Sequence, residues 1–304
     1  MTETPTAQGF CQQDAHRALV AACEQAGLDS RAAVPIRIGE NALYRLVSAP
    51  VVVRIARSAD RLSDVQKEVG VARWLEEADF PGVRLFPDCP QAIVHDGRVV
   101  TFWLYADNSG PAPGFADLAV MFRRLHDVPK PMDLLLPLFD PLARVENRLD
   151  SASTVADKDI EFLRERVKDL YAEYSALDFA LPAGHIHGDG HKSNLLRRTN
   201  GQVILLDYEA FAWGPREWDL CTGVGIPFRG FRWVAPDEYA QAVDAYGFDI
   251  TEWPGFHTLR RIRETTMTTW LMQNVDLNPE TRAEFDRRVA SLRHDVLPRV
   301  WRPF

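Results

Sequence analysis

The chain has 304 residues, 46% of them hydrophobic, with a net charge of -8 and a pI near 5.5. That length can bury a large core and has room for more than one lobe, while the acidic balance argues against nucleic acid or an anionic membrane as a partner. The start carries neither a basic region nor an apolar stretch, no later run approaches a membrane span, and Cys11, Cys23, Cys89 and Cys221 lack paired spacing, so a cytoplasmic protein with reduced thiols is expected.

Ala15, Leu19, Ala22, Cys23 and Ala26 recur at helical spacing up to Gly27, predicting an N-terminal helix that stops at that glycine. From Ile36 to Tyr44 the chain reads as a strand, a tight turn from Gly39 to Asn41, and a second strand. The next strand, Val51 to Ala56, alternates: Val51, Val53 and Ile55 share one face, and Arg54 sits with Val52 and Ala56 on the other. A helix over 63–78 follows, with Val65, Glu68, Ala72 and Leu75 on its inward stripe. A carboxylate there is costly unless paired, and Arg54 is the cation that the neighbouring strand offers. An Arg54–Glu68 ion pair is therefore predicted, with a purely structural role as one reading of it. Arg98 to Tyr105 is a further strand, after which residues 106–114 shift to turn-forming composition. The lobe boundary is placed there, giving 1–105 and 106–304.

The second part is mostly helical by pattern. Leu118, Met121, Phe122 and Leu125 make 117–126 a core helix, with His126 read as its C-terminal cap. A proline-interrupted surface excursion follows over 129–141, and helices are expected over 144–149, 157–174, 237–246, 256–274 and 279–296. The stretch from His187 to Asp219, HGDGHKSNLLRRTNGQVILLDYEAFAWGPREWD, carries most of the chemistry. Asn200 and Gly201 predict a two-residue hairpin turn, which sets Leu196 opposite Leu205 and Asn194 opposite Asp207. Cross-strand partners have Cβ atoms roughly 5 Å apart. An amide oxygen and a carboxylate at that spacing can share a hard cation such as magnesium, which takes its oxygen ligands from protein and substrate phosphates. A short loop would aim Asp189 at the same point, where a carboxylate can orient or deprotonate an attacking hydroxyl.

His187, Gly188, Asp189, His191 and Asn194, followed by Leu206 to Glu209 and then Trp218 to Leu220, resemble the ordered motifs of the aminoglycoside phosphotransferase family, whose fold is similar to that of protein kinases and choline kinases. The resemblance implies an α+β, bilobal, protein-kinase-like fold: a small β-rich lobe with one key helix and a larger, mainly helical lobe. It makes Asp189 the catalytic aspartate and Asn194 and Asp207 the metal ligands. His187 would brace the loop and Asp219 buttress it through backbone hydrogen bonds. Glu209 either helps to hold a second magnesium, as the matching glutamate of choline and ethanolamine kinases does, or is a solvated side chain. Arg54, where protein kinases have lysine, would reach the α and β phosphates with Glu68 as its partner; an arginine can bind phosphate bidentately. Asn41 falls in the phosphate-covering turn, the backbone of Leu104 and Tyr105 would meet the adenine edge, and Trp103 takes a gatekeeper-like position. Gly190, Lys192 and Ser193 depart from the Leu, Pro and Gly expected in the bacterial family, which loosens the loop.

The activity implied is ATP- and magnesium-dependent transfer of the γ-phosphate to a hydroxyl of a small molecule, with GTP an open alternative to ATP. An aminoglycoside or other antibiotic is the first acceptor class, with resistance as the role; choline, ethanolamine or sugar metabolism is the second. Glu264 and Trp270, on one predicted helix, are the acceptor-binding candidates, although Arg260, Arg261 and Arg263 alongside weaken attraction for a polycation. Readings of a different class are a non-catalytic nucleotide-binding module, and a zinc hydrolase built on His185, His187, Asp189 and His191, whose imidazoles suit zinc. The assembly expected is a monomer or homodimer.

Overall fold

A computed structural model describes residues 12–302 apart from Glu40, Asp88, Leu277 and Val296. Cys11 and the leader reading lie outside the described residues, as does Val296 at the end of the last predicted helix. In chain order the elements are α1 (Gln12–Gln25), β1 (Val34–Ile38), β2 (Asn41–Arg45), β3 (Val51–Ala56), α2 (Leu62–Glu77), β4 (Ile93–His95), β5 (Arg98–Leu104), α3 (Phe115–His126), α4 (Val145–Ser151), α5 (Asp157–Ser175), β6 (Gly184–Ile186), β7 (Leu195–Arg197), β8 (Val203–Leu205), β9 (Ala212–Gly214), α6 (Glu217–Leu220), a π-helical stretch Cys221–Gly230, α7 (Pro236–Tyr246), α8 (Phe256–Leu271) and α9 (Pro279–His294). None of the described helices is long and apolar enough to cross a membrane. Cys23, Cys89 and Cys221 carry free thiols.

Two compact units divide these elements. The first runs up to Ala112 and takes in Pro131–Leu135 and Asn194–Ala210; the second comprises Pro113–Lys130, Leu136–Ser193 and the chain from Phe211 onward. A single cut after Tyr105 therefore does not describe the packing, because the β7–β8 hairpin belongs with the sheet-bearing unit. Its strand is tied there by backbone hydrogen bonds, Val83 N to Leu205 O and Leu205 N to Pro81 O, both at 2.9 Å.

The first unit is a five-stranded antiparallel sheet in the order β1-β2-β3-β5-β4. The alternation read from 51–56 is realised: Val51, Val53 and Ile55 are buried in one cluster with Ala15, Leu19 and Ala22 of α1, Phe102 of β5 and Tyr44 of β2. α1 ends where expected, with Gly27 at φ +69, a left-handed conformation that glycine takes without a side-chain clash. Ala56 packs with Val65 of α2 and Val99 of β5 in a second cluster.

The second unit is mainly helical. α3 packs on α7, α5 on α8, and α8 on α9. Its small sheet is the antiparallel pair β6–β9, with His185 opposite Trp213. The π-helical stretch has no counterpart among the predicted elements. Gly223, Gly225, Pro227 and Gly230 give it the composition of a loop, yet a Cβ on Gly223 would stand 2.6 Å from the Phe122 ring and one on Gly225 2.7 Å from the Phe256 ring. Glycines that sequence rules read as breakers are here sites of close packing.

Candidate active site

In the first unit the predicted ion pair is present. Arg54 is paired across the sheet with Leu43 and Thr101, so its side chain leaves a central strand. Its guanidinium meets Glu68, which is 2% exposed. Burial, with like charge from Glu209 and Asp207 adding to it, pushes the Glu68 carboxyl up to about 7 against the opposing pull of Arg54. The second Arg54 nitrogen lies 3.2 Å from Glu209 Oε2, the other Glu209 oxygen accepts from Arg61, and Lys67 donates to the Glu209 carbonyl. Glu209 is thus neither simply solvated nor presented as an isolated ligand: three cations of β3 and the α2 region surround it. Arg61 and Lys67 escaped the sequence reading, although Lys67 adjoins the inward-facing Glu68.

The β7–β8 hairpin corrects the predicted register by one residue. Leu195 pairs with Leu205 and Leu196 with Ile204, and Asn194 O accepts from Leu206 N at 2.8 Å. Asn194 is therefore opposite Leu206, not Asp207. The cause is the turn, in which Arg198 N donates to Gln202 O and Gly201 N to Arg198 O, with Gly201 at φ +83. This makes a three-residue loop with glycine at the left-handed position instead of a two-residue turn. Asp107, accepting from the Thr199 amide and hydroxyl, holds the loop in this form. Asp207 follows the end of β8 at φ +62, uncommon for a residue with a side chain. Between it and Glu209, Tyr208 is buried, its ring edge-on to Trp103 at 6.3 Å and its hydroxyl donating to Val83 O. With Tyr208 anchored inward, Asp207 is left exposed. Asn194 is buried, and its amide oxygen with the Asp207 carboxylate gives the hard oxygen donors that a small divalent cation takes.

Asn41 opens β2, its carbonyl accepting from Gly39 N at 3.1 Å. The amides of Leu104 and Tyr105 donate at 2.8 Å to Arg84 O and Pro50 O. Their N–H groups are spent within the unit, so any contact they make to an adenine edge falls to their carbonyl oxygens. The Tyr105 ring carries the Arg45 guanidinium 3.9 Å above its centroid.

In the second unit the loop after β6 is held from beneath. The fully buried Asp219 accepts from His187 N at 2.7 Å and Gly188 N at 2.9 Å, and Trp218 Nε1 donates to Gly188 O at 2.7 Å. His187 braces the loop from within, its Nδ1 accepting from Asp189 N at 3.3 Å while its ring packs on Phe211. His126 is not a helix cap: it is buried, with Nδ1 at 2.8 Å from the Tyr246 hydroxyl and Nε2 at 3.1 Å from Asp219 Oδ2. It ties α3 and α7 to the carboxylate that orders the loop. Gly190 does not loosen the loop, since a Cβ there would fall 2.3 Å from the buried Phe122 ring. Lys192 lays its Nζ over the Phe115 ring at 4.3 Å.

Asp189 projects from this frame with its side chain 43% exposed. Arg263 of α8 donates to its Oδ1 at 2.7 Å, and His191 Nε2 lies 3.9 Å from Oδ2. Desolvation works to raise the carboxyl, but Arg263 and His191 outweigh it and hold the group below the usual carboxylate range. Glu264 is displaced from the role expected of it. It is fully buried, with its two oxygens taken by Arg260 at 2.6 Å and Arg299 at 2.8 Å, so it serves the interior of the unit. Trp270, seven residues beyond Arg263, is half-buried on the same helix. The histidine cluster also disperses: His185 is buried with Nε2 on Leu125 O at 2.6 Å. Among the described residues no three His, Cys, Asp or Glu side chains converge on one point as a metal site.

A profile of the phosphotransferase enzyme family matches residues 33–260. The chain belongs to that family. No protein with a curated description matches it in sequence. Among solved structures, an amicoumacin kinase in complex with AMP-PNP, Ca2+ and Ami shares 13% identity at a TM-score of 0.74, covering 94% of this chain and 95% of that one. A microcompartment-associated aminopropanol kinase shares 16% at 0.68, with 92% and 94% covered. A choline/ethanolamine kinase family protein from Mesorhizobium loti shares 19% at 0.60, with 93% of each chain covered. The phosphotransferase thus has the expected α+β, kinase-like fold, with a small antiparallel sheet in one lobe and helices in the other.

Proposed function

We propose that this phosphotransferase moves the γ-phosphoryl group of ATP to a hydroxyl of a small molecule, with Asp189 as the catalytic carboxylate. The observation that carries the reading is the pinning of the Asp189 loop: a buried carboxylate and an indole are spent on the backbone of residues 187 and 188, which leaves an ionised aspartate held at a set place. Arg54, braced by Glu68, binds the nucleotide phosphates, with Asn41 and the carbonyls of Leu104 and Tyr105 as further nucleotide contacts. Asn194 and Asp207 would hold magnesium, and Glu209 would join them when the phosphates take Arg54 and Arg61 from it. Magnesium neutralises the charge of the triphosphate. Asp189 orients the acceptor hydroxyl and receives its proton as the oxygen bonds to the γ phosphorus; the bond to the β–γ bridging oxygen breaks and ADP leaves with the electron pair. Positioning and electrostatics supply most of the acceleration in such a transfer.

Antibiotics and amino alcohols both belong to the acceptor class considered, and Trp270 remains an acceptor candidate on α8. The burial of Glu264 removes the support for a polycationic aminoglycoside. The test is thermal melting with magnesium and ATP or GTP, for the parent, Asp207→Ala and Asp189→Asn. A ligand at about 100 times its dissociation constant adds roughly 2.7 kcal/mol. The expected result is a magnesium-dependent shift lost in the Asp207 variant and kept in the Asp189 variant, which has no turnover. Full turnover by Asp189→Asn would overturn the assignment.

A further inference from the structure

Arg263 holds one oxygen of Asp189, the group to which the proposed function gives the acceptor hydroxyl. A guanidinium there competes with the hydroxyl for the carboxylate, and it is positive where a cationic acceptor would have to approach. His191 and His187, both bases, also act electrostatically on Asp189. The helix that carries Arg263 is equally informative. At positions i, i+3, i+4 and i+7, Arg263, Thr266, Met267 and Trp270 share a face of α8 and are half-buried, whereas Arg260, Glu264, Thr265, Thr268 and Leu271 are buried. That face offers a cation, a hydroxyl already donating to the Arg263 carbonyl at 2.8 Å, a thioether and an indole. It offers no carboxylate, and the nearest in sequence, Glu264, is consumed by Arg260 and Arg299.

We propose that the acceptor is an alcohol carrying an oxyanion, a carboxylate or a phosphate, which takes Arg263 from Asp189 as it binds. A guanidinium fork matches either oxyanion bidentately. Exchange of one anion for another on Arg263 leaves its charge satisfied and frees Asp189 to meet the hydroxyl only when the acceptor is in place. Arg263 is then the specificity-determining contact, and the Met267 and Trp270 side chains flank the apolar part of the acceptor. The inference rests on the phosphotransferase reading and narrows its acceptor.

The experiment uses matched probes: L-serine against ethanolamine, L-threonine against 1-amino-2-propanol, and glycerate and glycerol 3-phosphate against glycerol. ADP release, product mass and the probe-induced melting shift are read for the parent, Arg263→Lys and Arg263→Met. The anionic member of a pair is expected to bind and react about tenfold to a hundredfold better in the parent, the range of a charge-assisted hydrogen bond. That preference should shrink in Arg263→Lys and vanish in Arg263→Met. If Arg263→Met fails to fold, the lysine variant carries the comparison. A parent that prefers the neutral or cationic member, or a preference unchanged by either substitution, would overturn the proposal. So would silence from every anionic probe while the magnesium-nucleotide shift is intact, a result that leaves the kinase reading standing. Loss of the nucleotide shift in the parent would strike that reading itself. Reaction of carboxylates alone or of glycerol 3-phosphate alone supports the proposal and identifies the oxyanion.

Discussion

Replacing Asp219 tests the support of the Asp189 loop directly. Its carboxylate is inaccessible to solvent and accepts from two backbone amides at 2.7 and 2.9 Å, with His126 Nε2 at 3.1 Å from the same oxygen that meets His187 N. In Asp219→Ala both amides lose their acceptor in a place that water does not reach. At about 1–3 kcal/mol for each buried group left without a partner, the expected loss is about 2–6 kcal/mol. Asp219→Asn keeps one oxygen but turns an NH2 toward an N–H, so about 2–3 kcal/mol should go. Urea unfolding monitored by tryptophan fluorescence reads these values from the midpoint at constant slope. Turnover should fall in both variants, because Asp189 follows two residues that the carboxylate holds, while the magnesium-nucleotide melting shift persists. A double-mutant cycle with His126→Phe should show coupling of about 0.5–3 kcal/mol. If Asp219→Ala and Asp219→Asn both unfold within about 0.5 kcal/mol of the parent, as an unremarkable surface substitution would, the account of the loop is refuted.

Gly190→Ala adds a methyl 2.3 Å from the Phe122 ring; overpacking of that kind costs about 1–3 kcal/mol, seen as a lower denaturation midpoint together with reduced turnover. Glu264→Ala takes from Arg260 and Arg299 their fully buried carboxylate and leaves both to share Asp295, and loss of one partner from a buried ion cluster is expected to cost about 3–5 kcal/mol by the same measurement. For Glu68 the sign follows from its folded pKa of about 7, above the ordinary glutamate value of 4.5. The folded state binds the proton more tightly, so the group favours folding at low pH and that contribution is lost as pH rises toward 7. Glu68→Gln should therefore gain on the parent by about 2 kcal/mol between pH 5 and pH 8, and a constant difference across that range would contradict the raised pKa.

How much of this was legible depended on the range of the interaction. Arg54 and Glu68 could be paired from sequence because strand period and helix period each put a charge on an apolar face, and Arg54 was the cation that the neighbouring strand offered. The order of motifs from His187 to Asp219 was equally readable. The hairpin register was not: Asn200 and Gly201 are compatible with turns of two lengths, and the choice falls to Asp107, far away in the chain, which binds the Thr199 backbone. His126 sits at the end of its helix, where a cap is the ordinary reading, and only its contacts with Asp219 and Tyr246 show a buried bridge.

The sequence by itself determined the elements and the chemistry available, since periodicity and side-chain type are local properties of the chain. It set the alternating strand of Arg54, the amphipathic helices, and the motif carrying Asp189, Asn194 and Asp207. Tertiary structure alone decided the partners: Arg263 for Asp189, the two arginines that enclose Glu264, the cations around Glu209, and the glycines packed on Phe122 in place of a loop. Apart from Arg260, one helical turn from Glu264, these partners lie tens of residues apart or more, and a charge or a glycine at one position does not specify which distant group will fill the space beside it; folding does.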